Sequence, residues 1–249
     1  MELLAGAANL LPVVAERSPA GPRVASLHRY PVKSMLGEAV SELAVDTRGV
    51  VGDRVWSVRT EAGKIASGKS TRRFAAVRGL QLMRAHRTDG GVVVTLPDGS
   101  RHDVESAVLA QRLGTLVGQP VALERESGVS QFDDGPVSLV AHASVEAVAE
   151  HRGQSVHVAR FRPNVVLDGV RGFGEEEWIG RRLWIGTAVL YVEMASDRCV
   201  MVDDATADLP QQPGNLLAVG RLNGARLGVI ARVVQPGVFH VGDQVRADC

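Results

Sequence analysis

The sequence predicts a mainly β chain with peripheral helices, an α+β protein, on three observations. Short runs rich in β-branched residues recur along its length, glycine-containing turns separate them, and helical periodicity is confined to three places. In the first half the strand-like runs are Val24 to Leu27, Glu42 to Val45, Arg54 to Arg59, Leu80 to His86, Val92 to Leu96 and Val121 to Glu124. Asp89-Gly90-Gly91 and Asp98-Gly99 bracket one of these runs and read as hairpin turns, where glycine supplies the positive φ. Helices are expected over Val104 to Val117, over Ser144 to His151 with Ser144 as N-cap, and over Asn215 to Leu222 behind Pro213-Gly214. The second half adds strands at Val165 to Asp168, Arg182 to Ile185, Ala188 to Glu193, Leu227 to Val234 and Gln244 to Arg246. Pro236-Gly237 and Val241-Gly242-Asp243 are tight turns between them, which predicts a compact β-barrel-like module.

Composition narrows the function classes. With 45% hydrophobic and 22% charged residues the chain is built to fold, not to stay disordered. Its 28 basic and 28 acidic residues cancel, so no overall charge excess favours nucleic acid or an anionic membrane, and any basic site must be local. Two cysteines, Cys199 and Cys249, exclude an iron-sulfur cluster or a Cys-rich zinc site and leave at most a single thiolate ligand. The apolar stretch Leu3 to Ala15 falls short of the roughly 20 residues of a membrane span and lacks a basic leader, so a cytoplasmic protein without membrane attachment is expected. Residues 1–22, ending in Glu16-Arg-Ser-Pro-Ala-Gly-Pro22, read as a mobile lead-in. No repeat or low-complexity linker divides the rest, and a boundary near 126 is expected between a β-rich unit 23–125 and a second unit 126–249.

Gly63-Lys64-Ile65-Ala66-Ser67-Gly68-Lys69-Ser70 matches the phosphate-binding string G-x-x-x-x-G-K-[ST]. That string cradles phosphate only between a buried parallel strand and a helix. Here Val55 to Thr60 alternates as a half-exposed hairpin strand, and Thr71-Arg72-Arg73-Phe74 opens no amphipathic helix. A nucleotide-hydrolysing reading is therefore set aside. Seven histidines lack metal-binding spacing, no G-x-S-x-G elbow exists, and Glu175-Glu176-Glu177 reads as a solvated edge beside Trp178.

Three segments in order carry a resemblance. They are Arg29-Tyr30-Pro31-Val32-Lys33-Ser34 with Gly52-Asp53-Arg54-Val55-Trp56; Arg160-Phe161-Arg162-Pro163-Asn164-Val165-Val166 with Phe173-Gly174-Glu175-Glu176-Glu177-Trp178; and Ser196-Asp197-Arg198-Cys199-Val200-Met201. With the tail Gly228 to Gly242-Asp243, they make the chain similar to the MOSC family, named after the C-terminal part of molybdenum cofactor sulfurase and shared with amidoxime-reducing enzymes. The resemblance implies a β-rich N-terminal MOSC-associated domain packed on a β-barrel-like MOSC domain, with a molybdenum cofactor (molybdopterin) between donors that suit its chemistry. Lys33, Ser34, Arg54 and Arg162 match the phosphate-side contacts, since ammonium and guanidinium groups make charge-assisted bonds to phosphate oxygens. Asn164 would hydrogen-bond the pterin, and Cys199 matches the thiolate ligand of molybdenum. Asp133, in Phe132-Asp133-Asp134-Gly135-Pro136, aligns with an acidic residue of the family and is the candidate proton donor, an exposed loop pair being the plainer account.

Taken alone, Lys33 and Ser34 also suit a solvated loop, and Arg54 and Arg162 suit surface charges whose stems cover apolar strands. Cys199 follows Asp197-Arg198, which places it in a turn; Cys249, at the chain end, is expected to be dispensable. The chain departs from amidoxime-reducing relatives at Asp197, where they have Ser, and at Met201-Val202-Asp203, where they have paired Thr. The resemblance implies an oxidoreductase that removes oxygen from N-hydroxylated or related N–O and S–O small molecules, with electrons from a separate flavin reductase or ferredoxin. The alternative is a non-catalytic carrier of the cofactor, or of sulfur on Cys199.

Overall fold

Short runs with one apolar face bury that face only by pairing into sheets closed over a shared core. The computed structural model describes residues 21–248, so the lead-in expected over 1–22 lies, apart from Gly21 and Pro22, outside the described residues, as does Cys249. In the first half come β1 (Arg23–Arg29), β2 (Glu38–Val40), β3 (Glu42–Asp46), β4 (Gly49–Val50), β5 (Trp56–Thr60), β6 (Ile65–Ser67) and β7 (Phe74–Ala76). They are followed by β8 (Arg84–Thr88), β9 (Gly91–Thr95), β10 (Arg101–Asp103), helix α1 (Ala107–Val117) and β11 (Val121–Arg125). The second half holds β12 (Val137–Ala141), α2 (His142–Arg152), β13 (Val165–Asp168), β14 (Arg182–Ile185) and β15 (Ala188–Asp197). It ends with α3 (Asn215–Asn223), β16 (Arg226–Gln235), β17 (Gly237–His240) and β18 (Val245–Ala247). The fold class is the expected one, mainly β with peripheral helices.

An eight-stranded sheet in the order β18-β14-β15-β16-β12-β13-β1-β2 curls into a half barrel. Only β12 and β13 run parallel in it, and α2 supplies the crossover that parallel neighbours require. β1 and β2 are part of this sheet, and β3 and β4 pair with β17, so strands from the start of the chain complete sheets built by its end. β5, β6, β7 and β11 form a separate sheet, as do β8 to β10. One core fills the half barrel around Leu27, Leu139, Leu183 and Phe239; a second lies among Val32, Met35, Val58, Leu80 and Leu109; a third sits under α2 and α3. Among the described residues, no helix is long and apolar enough to cross a membrane.

Several sequence expectations shift for identifiable reasons. The strand β12 carries no alternating signal in the sequence: Val137 and Leu139 face the first core and Val140 the third, so burial on both faces erases the period that marks a strand. Val104 donates its amide to Val92 O and extends the sheet, which delays α1 to Ala107. Leu80–Leu82 is a 3-10 turn, and the expected strand there starts only at Arg84. Arg54 precedes β5 in the left-handed region, φ 49°. The phosphate-loop string forms a hairpin: Thr60 and Gly63 close its turn, β6 pairs antiparallel with β5, and no helix follows.

Ser144 is not an N-cap. α2 starts at His142 after Ala141, and the Ser144 hydroxyl donates to the Glu175 carboxylate at 2.8 Å. Glu175 correspondingly is no solvated edge: it is fully buried and also accepts the Ala141 amide at 3.2 Å. This carboxylate pins the 3-10 turn Gly174–Trp178 onto β12 and α2.

Burial raises the Glu175 carboxyl above its ordinary pKa, with its hydrogen bonds opposing. The folded chain therefore binds this proton more tightly than the unfolded chain, and the associated stability is present at low pH and lost as pH rises through the folded pKa. Glu175→Gln should accordingly gain in urea midpoint relative to wild type between about pH 4 and about pH 8; a difference that stays constant across that range contradicts the assignment.

Candidate functional site

After β1 the chain turns sharply through Tyr30 to Met35. The Lys33 amide donates to Trp56 O at 2.8 Å, and the Ser34 hydroxyl donates to Ala66 O at 3.2 Å, which fastens the turn to β5 and β6. The Ser34 hydroxyl hydrogen is thereby used, while its amide has no acceptor among the described residues. Lys33 is turned inward and buried, its Nζ lying 4.8 Å above the Phe74 ring and 2.6 Å from Asp133 Oδ2. Burial pushes the Lys33 amine down to about 8, with Arg54 and Arg162 adding to the effect and Asp133 opposing it.

Two guanidinium groups share one aromatic ring. Arg54 and Arg162 lie 4.7 and 4.4 Å from the Tyr30 centroid, and the Tyr30 hydroxyl donates to Pro163 O at 3.1 Å. Arg54 is bonded to the buried Asp53, whose other oxygen accepts the Tyr30 amide at 2.7 Å, and donates to Arg162 O at 3.2 Å. Arg162 donates to Met35 O. Burial and then Arg54 push Arg162 down to about 10, whereas at Arg54 burial is outweighed by Asp53, which raises it, so of the two guanidiniums Arg162 is the one short of counter-charge. Ser34, Arg54 and Arg162 all have positive φ, at 67°, 49° and 51°. Three left-handed non-glycine residues on one surface, each costing roughly 1–2 kcal/mol, mark a place where the fold holds side chains in set directions.

The opposite wall is the end of β15 and the turn after it. Arg198 is anchored by donating to Leu227 O and to Phe161 O, each at 2.8 Å, and burial pushes it down to about 10. Cys199 follows in the expected turn, half-buried and unpaired. The first half of the chain holds this turn: Gln81 Nε2 donates to Met201 O at 3.2 Å, and the Met201 side chain packs where a Cβ on Gly68 would stand.

These pieces enclose one cleft of about 340 Å³. Of the residues expected at the site, Lys33, Ser34, Arg54, Asp133, Arg162 and Cys199 all line it. Asn164 does not. Its Oδ1 accepts the Ser138 amide and hydroxyl at 3.1 and 3.0 Å, and its Nδ2 donates to His28 O at 3.2 Å, so it braces the wall from behind. Asp133 is held as one half of an ion pair: burial resists its ionisation, but Lys33 and Lys69 outweigh that and hold the carboxyl down to about 2. Lys69, Arg160 and Arg198 line the cleft too. Arg160 ties the strap after Cys199 through Asp204 O at 3.0 Å and Pro210 O at 2.6 Å, while its buried Nε has no partner among the described residues. Six cationic side chains thus face three carboxylates, Asp133, Asp134 and Asp197, in a chain of zero net charge. The cleft thus carries a local excess of cationic side chains and one thiol in its wall.

The family model described as MOSC domain matches residues 126–246, and that described as MOSC N-terminal beta barrel domain matches residues 21–136. The chain is 24% identical to mitochondrial amidoxime-reducing component 1 of Xenopus laevis, the match covering 89% of this chain and 81% of that protein. It is 26% identical to molybdenum cofactor sulfurase of Danio rerio across 82% of this chain but only 31% of the sulfurase, so it spans about a third of that relative's length. Among solved structures, the YuaD protein from Bacillus subtilis superposes with a TM-score of 0.53 at 18% identity, covering 91% of this chain and 94% of that one, a likeness of fold.

The packing of Met201 on Gly68 makes the Cys199 turn sensitive to a distant methyl group. Gly68→Ala should displace Met201 and speed Cys199 modification by a thiol reagent by about fivefold, the equivalent of about 1 kcal/mol of lost packing, and adding Met201→Ala should restore the original rate. An unchanged rate in Gly68→Ala would show that this contact does not hold the turn.

Proposed function

The chain belongs to the MOSC domain family, and from that premise we propose that its cleft binds a molybdenum cofactor and that the protein is an oxidoreductase removing oxygen from N-hydroxylated or related N–O and S–O compounds. The observation that carries the proposal is the placement of the thiol of Cys199 on the wall of a cleft whose other walls are crowded with cationic side chains, Lys33 and Arg160 among them buried. The donor set fits the group: its phosphate is an anion for the lysines and arginines, and its metal is a soft centre for one thiolate. The Nε of Arg160 and the amide of Ser34, neither with a partner among the described residues, add two further donors.

When bound, a molybdenum cofactor supplies two-electron oxygen-atom transfer at a metal. The residues of this chain bind and orient. Lys33, the Ser34 amide, Arg54 and Arg162 hold the phosphate end, with Asn164 bracing the wall behind them through Ser138 and Arg54. Cys199 provides the metal ligand, and the anchored Arg198 beside it fixes where the thiol stands. Asp134 and Asp197 face the remaining space and bias the approaching compound away from negative charge. Electrons come from a separate protein, a flavin reductase or a ferredoxin. The cytoplasmic setting belongs to the same proposal, beside relatives named as mitochondrial.

X-ray absorption on cofactor-loaded protein tests the central residue. Wild type should show one more sulfur around molybdenum than Cys199→Ser, which should also lose most reduction of an N-hydroxylated substrate because a harder oxygen donor replaces the thiolate. Equal sulfur coordination in both removes Cys199 from the site. A full sulfur complement with no turnover would instead favour the carrier reading.

A further inference from the structure

Asp133 sits on the connection between β11 and β12. Among the described residues, the backbone of Asp133, Asp134 and Gly135 makes no hydrogen bond, as donor or as acceptor. The flanks are fixed: Phe132 is buried with the Arg48 guanidinium 4.6 Å over its ring, and β12 begins at Val137. The carboxylate of Asp133, by contrast, is held at both oxygens. Oδ2 lies 2.6 Å from Lys33 Nζ and Oδ1 lies 3.0 Å from Lys69 Nζ. Both amines stand over the same Phe74 ring, at 4.8 and 5.1 Å from its centroid. Side-chain exposure is 3% for Lys33 and 41% for Asp133, so a carboxylate reaches in from the surface to satisfy a buried cation.

We propose that Lys33 and Lys69 form an oxyanion-binding site whose internal occupant is Asp133, and that a phosphate-type oxyanion entering the cleft displaces Asp133 outward on the unbonded segment 133–135. The inference rests on reading the cleft as an anion site, as the proposed function does, and not on molybdenum. Two amines held apart by a carboxylate's two oxygens present the same spacing to two oxygens of a tetrahedral oxyanion. Charge favours the exchange, because a dianion matches the two lysine charges that the single charge of Asp133 leaves half-neutralised, with Arg54 and Arg162 close by. The departing carboxylate regains water at the surface, and no backbone hydrogen bond has to break for it to leave. Lys69, the lysine of the phosphate-loop string, thus acquires an anion-binding role with no nucleotide-binding fold around it.

Calorimetric titration of the cofactor-free full chain with inorganic phosphate tests this. Asp133→Asn should bind phosphate about tenfold more tightly than wild type, whereas Asp197→Asn, which removes an equal charge from the cleft without touching either lysine, should change affinity by less than about threefold. Lys69→Ala should weaken binding in the wild-type background and remove the gain of Asp133→Asn; should the Asp133 variant not fold, the Lys69→Ala loss alone decides. Asp133→Asn no tighter than Asp197→Asn, or Lys69→Ala without effect, overturns the proposal. Repeating the titration on cofactor-loaded protein separates two sources of the oxyanion. Blocked phosphate binding identifies the phosphate of the cofactor as the displacing group, and undiminished binding identifies a free oxyanion; either outcome upholds the site. Protein purified without molybdenum would count against the proposed function and leave this titration intact.

Discussion

Two guanidinium groups stacked near one tyrosine ring set the terms for the rest of the site. Arg54 and Arg162 repel each other, are largely removed from water, and stay where they are because Asp53, Met35 O and the quadrupole of Tyr30 hold them. Around them the fold adopts left-handed backbone at three non-glycine positions. Asp53 offsets Arg54, and Arg162 keeps its charge against burial without a carboxylate of its own, the feature on which the proposed anion binding rests. Asp133 is the counter-charge that the chain itself supplies at the lysine end.

The architecture explains how two halves of the sequence come to share this cleft. β1 enters the large sheet beside β13, which brings the Tyr30–Ser34 turn against Arg162 and Pro163 just before β13. The same sheet carries β15, at whose end Cys199 turns away. Because Met201 is gripped by Gly68 and Gln81, the thiol wall is fixed by the module that also carries the lysines. The separation of Lys33 from Cys199 across the cleft is therefore a property of the packed molecule.

What the sequence made legible depended on the kind of signal. Most strands announced themselves through alternation and turn glycines, and Val165 to Asp168 and Arg182 to Ile185 fall where they were expected. β12 did not, since a strand buried on both faces loses its period. Cys199 was readable as a turn residue from Asp197-Arg198, and Lys33, Arg54 and Arg162 through the resemblance, but their burial was not. Nothing in the local sequence tells Asn164, which braces the wall, from a residue on the wall itself. Asp133 and Lys69 are far apart in the chain, and only the folded connection between β11 and β12 shows that they form one ion pair. Glu175 hid in a run of three acids, because a buried carboxylate is defined by its partners, Ser144 and Ala141, and not by its neighbours in sequence.

The central claim is that this anion cleft with its single thiol receives a molybdenum cofactor. The most direct measurement is the molybdenum and pterin content of the wild-type protein purified from a cofactor-competent host. The account predicts the two in equal amounts, approaching one of each per chain. Protein that is folded and free of both would contradict it.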